Sequence, residues 1–223
     1  MTNDILIIYP QDETTDFLQD IPNFLFDKHG KERFIYQRIG FSVKEHRSCI
    51  NLIEKFSKNS LVIFLGHGRS DALLGAMDYE RFDFITEEHI HIFKGKQVFF
   101  FSCRSEELLQ GRGIEGIGFG HILSSPDELT DNDLRRQYSY LFSTLGMPDS
   151  PTINQFKKLL VNIVRESLHD HIARHLSNQE LYFNLKLRLN KTIATLIQEN
   201  EPAKVRNLVN LLFKAKTEIR LFI

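Results

Sequence analysis

Four short apolar runs constrain this chain more than any other feature: Ile5-Leu6-Ile7-Ile8-Tyr9, Leu61-Val62-Ile63-Phe64-Leu65, Val98-Phe99-Phe100-Phe101 and Gly120-His121-Ile122-Leu123. Continuous runs of this length suit strands covered on both faces, as in the middle of a parallel sheet. A less apolar segment, RFIYQRIGF at 33–41, is expected nearer a sheet edge. Helical patterns lie between the runs. VKEHRSCINLIEKFSK (43–58) places Cys49, Ile50, Ile53 and Phe56 on one face, ahead of the breaker Asn59-Ser60. Strands alternating with helices imply an open α/β sheet with right-handed crossovers. Ligands of such sheets sit at the carboxyl ends of the strands.

The last third changes character. Ser125-Pro126, Gly146-Met147-Pro148 and Ser150-Pro151 interrupt the pattern, and a helical period begins with Ile153, Phe156, Leu159, Leu160, Ile163 and Val164. SNQE (177–180) reads as a capping box. The next stretch, LYFNLKLRLN (181–190), alternates like a strand, yet Leu185, Leu189 and Ile193 share a helix face; the cap favours helix. Pro202 suits the first position of a final helix carrying Val205, Leu208, Val209 and Leu212. The expected organisation is an α/β domain over residues 1–150 and a helical C-terminal extension over 151–223. The extension's apolar stripes are too many for a free tail, so it is expected to pack on the domain or dock on another protein.

Composition removes several classes. With 42% hydrophobic and 26% charged residues the chain has globular, not disordered, composition. Its 2 cysteines cannot form a disulfide framework, and MTNDILIIYPQDETTD lacks a basic leader and a run long enough to span a bilayer. The cytoplasm is therefore the expected compartment, no membrane partner is expected, and Cys49 and Cys103 are expected as thiols. Residues 151–223 hold 12 Lys and Arg against 6 Asp and Glu, while residues 1–150 hold 16 against 23. This reads as two halves that attract or as solvated faces. The basic residues show no interleaving with stacking aromatics, so nucleic acid is not indicated directly.

Two strand ends carry chemistry. LVIFLGHGRS runs from an apolar block into Gly66-His67-Gly68, and GKQVFFFSCRS runs from another into Ser102-Cys103. Cysteine hydrolases need a thiolate-capable sulfur, a nearby base or acid and backbone N–H donors for the oxyanion. Histidine suits the proton transfer because its pKa lies near physiological pH. Flanking glycines let a substrate backbone approach. The stretch between His67 and Cys103 is long enough for one crossover helix and a strand, which puts the two on neighbouring strands.

Other candidates read as packing. A lone histidine or cysteine after an apolar strand is more often structural, and only the pair favours a site. Cys49 is expected in the core and His121 in the core or on a sheet face. His171 and His175 have metal-compatible spacing but no third ligand, so a solvated helix face is expected. GRGIEGIGFG (111–120) does not open a helix after a strand and fails as a phosphate loop. No cofactor or metal is expected.

The His-Gly block and the small residue-Cys block resemble the caspase-like cysteine peptidases, closest in appearance to the bacterial CHAT domains, and GIEGIGFGHILSS resembles the segment that follows the cysteine there. The resemblance covers residues 1 to about 125. It implies a three-layer caspase-like (caspase-hemoglobinase) α/β fold with a mainly parallel sheet, plus the helical C-terminal extension. By it, His67 is the general acid/base, Cys103 the nucleophile, and the backbone N–H groups of Gly68 and Cys103 the oxyanion hole. Family members commonly carry Ala or Gly before the cysteine, where this chain has Ser102. Asp12 or Glu13 falls where several relatives build the substrate pocket, which would favour a basic substrate residue. The implied function is a cysteine endopeptidase cleaving a protein substrate. It would be a regulated bacterial effector, for example in antiviral defence, held by a regulatory or sensor partner through residues 151–223. The alternative is an inactive caspase-like scaffold or protein-binding module. A third reading, a doubly wound nucleotide or phosphoacceptor domain, needs Asp12, Glu13 and Asp71 clustered at the strand ends.

Overall fold

The computed structural model describes residues 5–76, 83–130 and 148–223. Gly146 and Met147, among the pattern breaks, lie outside them. In chain order the strands are β1 (Ile5–Pro10), β2 (Phe34–Ile39), β3 (Leu61–Leu65), β4 (Ala72–Leu74), β5 (Asp83–Thr86), β6 (Gln97–Phe101), β7 (Glu115–Gly118) and β8 (Arg220–Phe222). The helices are α1 (Asp20–His29), α2 (Val43–Lys55), α3 (Ser105–Leu109), α4 (Ser150–Arg174), α5 (Asn178–Glu199) and α6 (Pro202–Glu218). Six strands form one mainly parallel sheet in the order β2-β1-β3-β6-β7-β8, in which β8 alone runs antiparallel to its neighbour; β4 and β5 form a separate antiparallel pair.

The three longest apolar runs become the centre of this sheet. In-register partners such as Ile7 with Ile63 and Ile63 with Phe99 stack along one face. That face, with Tyr9, Leu65 and Phe101, packs under α1 and α4 to α6. Alternate residues Leu6, Ile8, Val62, Phe64, Val98 and Phe100 face the other way, onto Cys49 and Ile53 of α2 and Leu108 of α3. Both faces are therefore covered, which explains why the runs are continuous and not alternating. The less apolar β2 takes the edge, as its composition implies.

Helix ends follow their caps. Asp149 accepts from Thr152 N at 2.9 Å to start α4, and Ser177 with Glu180 forms the capping box that commits 181–190 to helix.

One expectation is corrected. Gly120–Leu123 is not a strand: the fourth run is irregular, and the strand is the glycine-rich Glu115–Gly118 ahead of it. A Cβ on Gly116 would collide with the Val98 carbonyl, and one on Gly118 would stand 2.6 Å from Glu106 N. The strand needs glycines to press against β6 and α3, and glycines carry no hydrophobic signal.

The helices that follow residue 150 pack on the sheet. Phe156, Leu160, Val164, Leu185, Leu208 and Leu212 share one core with Ile7, Ile63 and Ile117, and β8 pairs Leu221 with Ile117. The C-terminal region completes the α/β fold. Among the described residues no helix is long and apolar enough to cross a membrane.

Candidate active site

Strands β3 and β6 are adjacent and parallel, so the residues that leave their carboxyl ends emerge together. After Leu65, Gly66 N donates to Phe101 O at 3.3 Å, extending the pairing past the strands. Arg69 N donates to Ala72 O (2.8 Å) and Leu74 N to His67 O (3.0 Å), folding the segment against β4 and leaving the Gly68 N–H outside that ladder. Gly68 lies against the neighbouring strand end. A Cβ there would stand 2.7 Å from the Cys103 carbonyl oxygen and 2.9 Å from Ser102 Oγ.

The turn at Cys103 is abrupt. Arg104 adopts the left-handed conformation (φ 56°, ψ 22°), which carries the chain from β6 straight into α3. A non-glycine residue there costs about 1–2 kcal/mol. The surroundings hold it: Arg104 N donates to Gly120 O at 3.1 Å, and its guanidinium grips Glu107 at 2.8 and 2.9 Å. Ser105 Oγ lies 2.8 Å from Phe100 O and 2.9 Å from Ser102 O, which share its one proton as acceptors, and it accepts from Phe119 N (2.9 Å), latching the turn to the ends of β6 and β7. Among the described residues no protein oxygen accepts from the N–H of Gly68 or Cys103.

His67 and Cys103 line one cleft of about 520 Å³, together with Thr14, Gly68, His121 and Glu128. His67 Nε2 is 2.6 Å from Thr14 Oγ1 and 3.8 Å from Asp12 Oδ2. Asp12 is 5% exposed, and its Oδ1 accepts from Thr14 N (2.8 Å) and Thr14 Oγ1 (2.6 Å). A carboxylate only accepts, so the single hydroxyl proton of Thr14 points to Asp12 and the oxygen accepts from Nε2–H. Neutral His67 then has Nδ1 as its basic nitrogen. Asp12 is thus buried beneath His67 and Glu13 is exposed; neither is in the lining of the cleft.

The sulfur is held differently. Cys103 Sγ donates to Ile122 O and accepts from Ile122 N, both at 3.4 Å, so its hydrogen bonds go to backbone and not to the imidazole. Burial pushes the thiol up to about 12; the Ile122 N–H pulls it down, and the carboxylates of Glu128, Glu106 and Glu218 push further up. Burial alone also takes Cys49 to about 12. The two cysteines therefore differ in access, not acidity: Cys49 is closed in the α2 core and Cys103 half-open to the cleft.

Sequence patterns missed Thr14, Glu106, Glu128 and Glu218. His121 is not in the core but lines the cleft, with Nε2 3.6 Å from Glu128 Oε2 and its backbone N–H donating to Glu218 Oε2 at 3.1 Å. His171 is buried, not on a solvated face, and burial lowers its pKa to about 4. Among the described residues no group of three or more His, Cys, Asp or Glu is placed to hold a metal. Asp71 pairs with Arg69 at 2.9 Å, while Asp12 is turned under His67, so the carboxylates of the phosphoacceptor reading do not assemble. Comparison of the chain with protein-family models, curated proteins and solved structures returns no match in any of the three.

Proposed function

We propose that the chain is a cysteine endopeptidase of caspase-like fold that cleaves a protein substrate. The observation that carries this is the shared cleft: His67 and Cys103 lie at the carboxyl ends of adjacent parallel strands. The Gly68 and Cys103 N–H groups have no protein acceptor among the described residues. In the proposed reaction Cys103 Sγ, having given its proton to His67 Nδ1, attacks the scissile carbonyl. The oxyanion takes hydrogen bonds from Gly68 N–H and Cys103 N–H. The imidazolium then returns the proton to the leaving amine, and water, deprotonated by His67, releases the acid product from the acyl-enzyme. Thr14 and Asp12 hold the ring in the tautomer this requires.

The thiol near 12 and its bonds to Ile122 support a regulated effector whose site is held in check. Engagement that draws the Ile122 carbonyl and the Glu128 carboxylate away, with the Ile122 N–H kept, would release the sulfur. The regulatory partner proposed for residues 151–223 has apolar side chains to meet on the outer face of α5, where Phe183 and Leu187 are exposed. A role in antiviral defence rests on the family resemblance alone. The same restrained thiol favours the second reading, an inactive scaffold. Iodoacetamide labelling of Cys103 against Cys49, with and without substrate extracts, separates the two. A peptidase labels first at Cys103 when engaged, and Cys103→Ala removes cleavage on the order of 10⁶-fold. A scaffold shows neither.

A further inference from the structure

We propose that the groove between α4 and the 3-10 helix Glu13–Gln19 holds an acidic stretch of the substrate protein. The inference rests on the peptidase reading of the neighbouring cleft. The groove measures about 620 Å³ and is lined by Phe17, Asp20, Lys157, Lys158, Asn162 and Arg165 among others. Phe17 lines both groove and cleft, so the two are neighbours across one side chain. Lys157 also reaches the cleft electrostatically: burial raises the pKa of Glu128, and the Lys157 charge offsets a part of that rise.

The lining of this groove carries more cations than carboxylates. Among the described residues no carboxylate lies within ion-pair distance of Lys157, Lys158 or Arg165, and Asp20 is the one carboxylate in the lining. Two of the cations are held in place by rings: Lys157 Nζ sits 5.0 Å from the Phe17 ring centre and the Arg165 guanidinium 4.7 Å from that of Phe24. Arg165 Nε is buried with no hydrogen-bond partner among the described residues. Three cations crowded along one helix face repel one another, and an anionic ligand relieves that repulsion without having to order them first. A peptide is favoured over a nucleic acid because the groove lies beside the Cys103 cleft across Phe17 and offers one aromatic ring, where strand binding needs successive stacking platforms.

Fluorescence anisotropy on the full chain carrying Cys103→Ala, with a fluorescein-labelled octaglutamate peptide as probe, tests the assignment without turnover. Saturable binding that falls with added salt is expected, weakened about tenfold by Lys157→Gln with Lys158→Glu. Lys158→Glu alone, at an exposed position, gives the same direction should the pair disturb folding. Binding that is absent or indifferent to both variants overturns the assignment. So does an equally charged single-stranded DNA that binds more tightly through these lysines. If octaglutamate binds through them while no substrate is ever cleaved, the acidic-peptide groove stands and the peptidase reading falls. If a cleaved substrate gains nothing from an acidic flank, the groove assignment falls and the peptidase reading stands.

Discussion

Gly68 and the carbonyl oxygen of Cys103 are so close that a methyl group on Gly68 would stand 2.7 Å from that oxygen. The two strand ends that carry the proposed chemistry are therefore in contact, and the spacing of the two oxyanion donors is set by a residue with no side chain. Gly68→Ala must push His67 away from Cys103 or shift Ser102, whose Oγ is also within 2.9 Å of that methyl position. A loss of about 1–3 kcal/mol in denaturant midpoint experiments is expected, as for other overpacked sites. A variant as stable as the parent would mean that the contact is looser than described.

Thr14 and Asp12 orient His67 without reaching the reacting atoms. Thr14→Val removes the acceptor of Nε2–H, and Asp12→Asn removes the group that fixes the hydroxyl proton. Each is expected to lower kcat by about 10–10²-fold with KM nearly unchanged, less than the loss in triads with a direct carboxylate–imidazole bond. Thr14→Ser keeps the hydroxyl and should restore most of the rate, which a purely structural role for the residue would not produce.

Carboxylates restrain the Cys103 thiol. Removing the negative charge of Glu128 or Glu218 lowers the energy of the thiolate, so more of it is present at a given pH. Glu128→Gln should therefore raise the iodoacetamide rate of Cys103 by about two- to tenfold, the lower intrinsic nucleophilicity of a more acidic thiol offsetting part of the gain. Cys49, fully buried in the α2 core, serves as the internal reference and should not change. Equal Cys103 rates in parent and variant would contradict the electrostatic account.

His171 couples folding to pH. It is 6% exposed, its Nδ1 has no hydrogen-bond partner among the described residues, and burial lowers its pKa from 6.5 to about 4. Below pH 6.5 the unfolded chain takes up a proton that the folded chain refuses, so this stability is complete above 6.5 and lost as pH falls towards 4. The loss is about 3 kcal/mol. Glu106, raised by burial from 4.5 to about 7, works oppositely: its contribution is present below 4.5 and lost as pH rises through 7. Chemical denaturation across pH should show a flatter acid limb for His171→Phe and a flatter neutral limb for Glu106→Gln. Parallel curves for parent and variants would refute both assignments.

The C-terminal helices share the core of the sheet, so a chain ending before α4 leaves α1 as the one α-helix of the described residues over that face. Truncation after residue 149 should give an insoluble or loosely packed protein, seen as lost near-ultraviolet circular dichroism and strong dye binding. A soluble, cooperatively folding fragment would show that residues 1–149 fold without the helices that follow.

What the amino-acid order determined by itself was local. Continuous apolar runs at 5–9, 61–65 and 98–101 specify doubly covered strands, and the Ser177–Glu180 box specifies a helix start, because both depend on neighbours in the chain. The positions of His67 and Cys103 at strand ends follow from those runs and are legible without coordinates. Tertiary structure decided the rest. Strand β7 is built from glycines chosen for closeness to Val98 and Glu106, so no hydrophobic period marks it, and a more apolar stretch just beyond it is irregular. Thr14 meets His67 across 53 positions, and Glu218 meets His121 across 97. The acidity of Cys103 depends on carboxylates gathered from three separate segments. Such effects are sums over distance and burial, which the chain acquires only when its ends have folded onto the same sheet.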